Sequence, residues 1–253
     1  MKWIFILMGL AAVACSGGAK DSVSLSARLG ASGGETLPAA DGGVQAASGI
    51  ELTRVRASVR RLRLEREDRT AEVEISKGPL LLDVNGPALG GALLQLVTAN
   101  VPPGTYDKLK LDIHAVETAP AAAFDDLVRR GVSVLVEGTV DGQPFRFATR
   151  LEAELEHEGR FELGGAAANI TLSIDASQWF KSADGSRLNP VDAEARDAIV
   201  ANIRASFSAF EDDDEDGLDD GDHHDGGDDH GEHDGGDDHG GADGGSDDGS
   251  GHH

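Results

Sequence analysis

The chain reads as a mainly β protein. It predicts an antiparallel β-sandwich closed by one C-terminal helix and followed by a disordered acidic tail. Three observations carry this. Short runs of alternating apolar residues recur between turn signals from residue 50 to residue 174, as expected of a sandwich. One stretch, 190–209, changes to helical spacing. Beyond it, residues 211–253 hold 19 acidic side chains, no Lys or Arg, and Leu218 as the single apolar residue of any size. Such a segment cannot bury enough surface to offset its ordering entropy.

The first fourteen residues are set apart. Lys2 precedes an apolar run from Trp3 to Val13, and Ala14 is a small residue before Cys15. A charged start, a short apolar run and a small-residue cleavage site make a secretory signal, too short for a span of roughly 20 residues. Leu10-Ala11-Ala12-Val13-Ala14-Cys15 resembles a bacterial lipobox. The resemblance implies that Cys15 is acylated and begins the mature chain. Two or more acyl chains give stable membrane attachment. Ser16 after the cysteine, rather than Asp, points to the outer membrane for a Gram-negative source. Cys15 is the only cysteine, so no internal disulfide forms and the domain must be stable through its core.

Residues 15–49 form a flexible tether with one possible strand, where Val23, Leu25, Ala27 and Leu29 alternate; residues 30–49 are Gly/Ala-rich and read as a loop. The sandwich domain spans 50–210. Alternation over 50–65 slips in phase at Thr53-Arg54 and at Arg60-Arg61. Each slip moves the apolar set to the other face, which requires a bulge or a break. Arg54, Arg56, Arg60, Arg61 and Arg63 are expected on a solvated face beside acidic partners.

Short strands follow at 73–75 and 80–84, and 89–97 fits either strand or short helix. Pro102-Pro103-Gly104 turns into an alternating strand at 109–115. Residues 132–140 and the strand opened by Phe145 and Phe147 flank Asp141-Gly142, a favoured hairpin turn. The return strand is expected to run on through Leu151, Ala153 and Leu155. Strands at 161–163 and 170–174 complete the set. Asn189 then caps a helix with Pro190 at its first position, and Ile199, Ile203 and Phe207 lie on one face.

Leu80-Leu81-Leu82-Asp83-Val84, Pro102-Pro103-Gly104-Thr105-Tyr106, and Val136-Glu137-Gly138-Thr139-Val140-Asp141-Gly142 resemble motifs of the bacterial domain-of-unknown-function family 4382. Ile174-Asp175 to Trp179-Phe180 and the closing helix fit the same family. The resemblance covers about residues 51–213. It implies an exported lipoprotein with a prealbumin-like sandwich, and it supplies no activity. Gly104, the sole tyrosine Tyr106, and Trp179 are expected to be structural: a turn, a backbone-bonded hydroxyl, and packing against the helix.

No nucleophile elbow, phosphate loop, paired metal-ligand motif or redox pair is present. A non-catalytic binding or envelope-structural module is therefore expected. A net charge of −24 argues against nucleic acid. The membrane, divalent metals and an envelope protein or glycan are the expected partners. Metal chemistry concentrates near the chain end. Asp212, Asp214, Asp216, Gly217 and Asp220 match the start of an Asp-x-Asp-x-Asp-Gly calcium loop, with His223 at its twelfth position. His223, His224, His230, His233 and His239, joined by His252 and His253, offer imidazoles for loose binding of Zn²⁺, Ni²⁺ or Cu²⁺. Residues 224–231 recur at 233–240, a period of nine, without the apolar residue a calcium β-helix needs. Two rival readings stay open: a metal-buffering lipoprotein whose tail is the functional part, and a sandwich that binds carbohydrate or protein.

Overall fold

The computed structural model describes residues 21–31, 35–40, 43–69, 71–164 and 168–219. The signal segment, Cys15 and the tail from residue 220 lie outside the described residues. Two sheets pack face to face. One is ordered β13 (Phe207–Glu211), β12 (Ala168–Asp175), β1 (Asp21–Gly30), β7 (Leu94–Val101). The other contains β2 (Ala39–Ala40), β3 (Gly43–Ala47), β4 (Ile50–Arg66), β5 (Glu72–Glu74), β6 (Leu80–Asn85), β8 (Gly104–Ile113), β9 (Val134–Val140), β10 (Gln143–Thr149) and β11 (Ala153–Leu163). Helices α1 (Asp125–Arg130) and α2 (Arg196–Ala205) connect strands.

Alternation fills the space between the sheets. Val23, Leu25, Ala27 and Leu29 of β1, Ile170, Leu172 and Ile174 of β12, and Leu109, Leu111 and Ile113 of β8 are all fully buried. Each large aliphatic side chain so buried contributes about 1.5–3 kcal/mol. The possible strand read within the tether is thus a central strand of the smaller sheet. β1 pairs antiparallel with β7 and parallel with β12, so one pair departs from the antiparallel pattern.

β4 is the longest strand, with 17 residues. Its first half pairs with β3, β6 and β9, and its second half with β5 and β8. The register shifts between Leu52 and Arg54 against β9, and between Val59 and Arg61 against β8. These are the two places where the sequence changes phase.

Several expectations are corrected. The Gly/Ala-rich loop holds β3, whose Val44 and Ala46 are buried. Gly43 lies so close to β4 that a Cβ there would stand 2.0 Å from the Leu52 carbonyl oxygen; the glycine serves strand contact rather than a turn. The strand after the hairpin does not run on to Leu155. The Ser133 hydroxyl donates to the Leu151 carbonyl at 2.6 Å, β10 stops at Thr149, and β11 crosses over to pair with β8. α2 begins at Arg196 rather than Pro190, and Phe207 opens a strand paired with β12. The spacing Ile199–Ile203–Phe207 suits a helix, but Phe207 and Ala209 also alternate. α1, which sequence periodicity did not show, is closed by Gly131 at φ +64.

Arg56 is the largest departure. It was expected outside, yet it is 4% exposed beneath α1. Its guanidinium donates to Asp126 of α1 at 3.1 Å and to Glu137 of β9 at 2.9 Å. The bulge at Arg54 turns this part of β4, and α1 covers it. Removing one partner of a buried ion pair leaves the other charges uncompensated. Arg56→Ala should therefore lower the unfolding free energy by about 3 kcal/mol in urea titration, while Asp126→Asn, which leaves Glu137 in place, should cost less.

Candidate functional site

The sequence-predicted calcium loop is described from Asp212 to Asp219, immediately after β13. The last strand ends at Glu211, so the division drawn at residue 210 from composition cuts through it. The Asp212 backbone N–H donates to the Asn169 carbonyl at 3.0 Å, and Asn169 Nδ2 donates to the Asp212 carbonyl at the same distance. The chain then turns back on itself. Glu215 at φ +58 and Gly217 at φ +82 adopt left-handed backbone.

This turn brings three carboxylates together. Ligand oxygens of Asp212, Asp214 and Asp216 all lie within 4.8 Å of one another. With Ca–O distances of 2.3–2.6 Å, oxygens on opposite sides of one ion are about 5 Å apart, so one ion can reach all three. Asp212 is wholly buried, whereas Asp214 and Asp216 are exposed. Thr171 on β12 donates its hydroxyl to Asp212 Oδ2 at 2.6 Å, and the Gly217 N–H reaches both Asp212 oxygens at 3.1 and 3.2 Å. Asp214 accepts from the Asp216 N–H at 3.2 Å, and Asp216 from the Leu218 N–H at 2.7 Å. Each ionised carboxylate has about four lone-pair positions, so these bonds fix the loop and leave oxygens for a cation. The buried Arg28 guanidinium donates to the Gly217 carbonyl. A Cβ on residue 217 would stand 2.6 Å from Arg28 Nη1. Glycine is needed there for both backbone angle and space.

The other assigned residues fall elsewhere. Asp220, His223, His224, His230, His233, His239 and Cys15 lie outside the described residues. Tyr106 is fully buried, and its hydroxyl donates to the Pro102 carbonyl at 2.6 Å. Arg66 stacks over its ring at 5.5 Å and donates to the Pro103 carbonyl at 3.2 Å. Gly104, at φ +148, is the surface on which Arg66 lies; a Cβ there would meet Arg66 Nη2 at 2.2 Å. Trp179 is 1% exposed and meets Phe180 edge-on at 6.4 Å. Asn202 of α2 bonds the carbonyls of Gln178, Trp179 and Lys181, which holds the helix against this corner.

Two histidines belong to the sandwich. His114 Nδ1 is 3.6 Å from Glu152. His157 on β11 is half-buried, and its Nε2 is buried without a hydrogen-bond partner. Burial pushes its imidazole below the ordinary value of 6.5. The folded state thus favours neutral His157, while the unfolded chain takes up a proton below about pH 6.5. This contribution to stability is present above that pH and is lost as pH falls toward the lower folded value. Urea midpoints at pH 7.5 and pH 5 should fall further apart for the parent chain than for His157→Leu.

No family model matches the chain, and no curated protein matches it. Among solved structures, MbnP from Methylosinus trichosporium aligns with it at 15% identity and a TM-score of 0.44, over 76% of this chain and 99% of that one.

Proposed function

We propose that this chain is an exported lipoprotein, anchored through Cys15, that acts as a non-catalytic binding module with a calcium loop at Asp212, Asp214 and Asp216. The observation that carries the loop is the convergence of those three carboxylates within 4.8 Å at the spacing the sequence motif requires. Oxygen donors alone favour a hard cation, and the flexible geometry of such a loop suits Ca²⁺ better than the strict octahedron of Mg²⁺. The loop would tie the end of β13 to β12 and so couple cation binding to the last strand of the smaller sheet. The lipobox resemblance and the resemblance to family 4382 support the anchor and the compartment. The described residues contain no helix long and apolar enough to cross a membrane.

Calorimetric titration of the full chain carrying Cys15→Ser, for solubility, tests the loop. One Ca²⁺ is expected, with Kd of about 10⁻⁴–10⁻³ M, the range of extracellular modules, and the Asp214→Asn/Asp216→Asn pair should abolish it. Ca²⁺ binding that survives this pair would overturn the assignment. Zn²⁺ binding that disappears when the chain ends at Asp219 would instead make the histidine tail the metal-buffering part. In cells, Cys15→Ser should move the protein from the membrane fraction to the soluble exported fraction, followed by immunoblot.

A further inference from the structure

A second site lies at another place in the fold. A cleft of about 320 Å³ opens between the turn after β4, the start of β8 and the end of β11, within the size range of small-molecule pockets. Its walls carry Glu67, Arg69, Asp107, Lys108, Glu158 and Arg160 beside Tyr106. The strand registers break here on both edges of β8. β4 shifts between Glu65 and Arg66, and β11 between Glu158 and Phe161, which leaves Asp107 opposite an irregularity on each side. Bulges re-aim side chains and gather at binding sites.

Two charged groups of this cleft have no side-chain partner among the described residues. Among the described residues no donor reaches the Asp107 carboxylate; its Oδ1 is shut off from solvent, so the oxygen it offers to the cleft is Oδ2. A desolvated carboxylate oxygen without a donor costs free energy. Arg69, also on the lining, sits at φ +54, uncommon for a side chain of this size. Among the described residues no hydrogen bond or ion pair holds its guanidinium, whereas the other two cations of the cleft are engaged. Lys108 bonds Glu156 at 2.9 Å, and Arg160 bonds Glu162 at 2.8 Å. The lining charges balance, three of each sign, so neither a simple anion nor a simple cation is favoured. Glu67, Asp107 and Glu158 do not converge as ligands of one metal ion.

We propose that this cleft binds a small zwitterion of the amino-acid or dipeptide class, its carboxylate on Arg69 and its ammonium on Asp107. The guanidinium fork suits a carboxylate, and an ammonium supplies the donor that Asp107 lacks. This site is independent of the calcium loop.

Amide chemical shifts of Thr105 to Lys108 and Glu158 to Arg160, in the full chain carrying Cys15→Ser, provide the test. The probes are Gly-Gly, N-acetyl-Gly-Gly and Gly-Gly amide, which share a size and differ in charge. Gly-Gly should shift these amides saturably, and each blocked form should bind about tenfold more weakly or worse, as loss of one charge-assisted contact implies. Arg69→Gly, which relieves the left-handed backbone while removing the guanidinium, should abolish binding and keep the thermal midpoint. Asp107→Asn should weaken Gly-Gly, leave N-acetyl-Gly-Gly unchanged, and hold or raise the midpoint. Equal binding of all three probes would reduce the site to a surface charge and overturn the proposal. So would no response to Gly-Gly, or full binding by Arg69→Gly. Should Asp107→Asn fail to fold, its carboxylate is structural, and the Arg69→Gly result with the blocked probes still decides.

Discussion

The fold depends on one strand that must serve two ends of the sandwich. β4 is long enough that a regular pleat would carry one face past the core. A right-handed twist accumulates along any strand, and 17 residues span about 56 Å at 3.3 Å each. The two bulges solve this. Each resets which side chains point inward, so Leu52, Val55, Val59, Leu62 and Leu64 all reach the core although they do not share one alternation. The bulges also split the partners. β9 and β8 occupy the same edge of β4 at different ends, and Ser58 stands where they meet. Its backbone N–H donates to the Ser133 carbonyl, and its carbonyl accepts from the His114 N–H. Every other strand of the larger sheet takes its place from β4 directly or through β8, β9 or β3.

Much of this was legible because burial leaves a period in the sequence. The alternation of β1, β8 and β12, the Asp141-Gly142 turn with both residues at positive φ, and the two phase slips in β4 can all be seen without coordinates. What was not legible is instructive. β3 is Gly43-Val44-Gln45-Ala46-Ala47, with only Val44 large enough to mark an apolar face, and it is held as a strand by pairing with β4 at Leu52. The break after β10 depends on a serine, Ser133, that bonds a carbonyl distant in sequence. The last strand shares its spacing with a helix over three residues, and only pairing with β12 separates the two. Arg56 keeps its outward place between the core residues Val55 and Ala57, and it is buried because a helix, α1, sits on that outer face. Non-local covering of this kind has no local period to announce it.

The candidate sites were legible to different degrees for the same reason. The Asp-x-Asp-x-Asp-Gly spacing is a local signal, so the sequence shows it, and the fold adds the anchor: Thr171, Asn169 and Arg28 hold the turn against the smaller sheet. The cleft beside Asp107 has no motif at all. It arises where three separated segments meet and where strand registers fail together, and its components are ordinary surface residue types. Only the unanswered oxygen of Asp107 and the unengaged guanidinium of Arg69 distinguish it.

The two sites also differ in how their charge is managed. Around the loop, Asp212, Asp213, Asp214, Glu215 and Asp216 crowd one turn, and the buried Arg28 guanidinium is held to the Gly217 carbonyl beside them. Such an excess favours the turn when a divalent cation is present, and repulsion among the exposed carboxylates is screened over about 8 Å at physiological salt. If the chain is exported as proposed, a loop with the affinity of extracellular modules, about 10⁻⁴–10⁻³ M, is filled by millimolar calcium. Binding stabilises by RT ln(1 + [L]/Kd), so even such modest affinity would strengthen the final strand. The cleft follows the opposite logic. Its lining charges already cancel, so a ligand gains little from net attraction and must match the position of each sign. Long-range field can recruit cations to the first site, whereas the second can discriminate only by geometry.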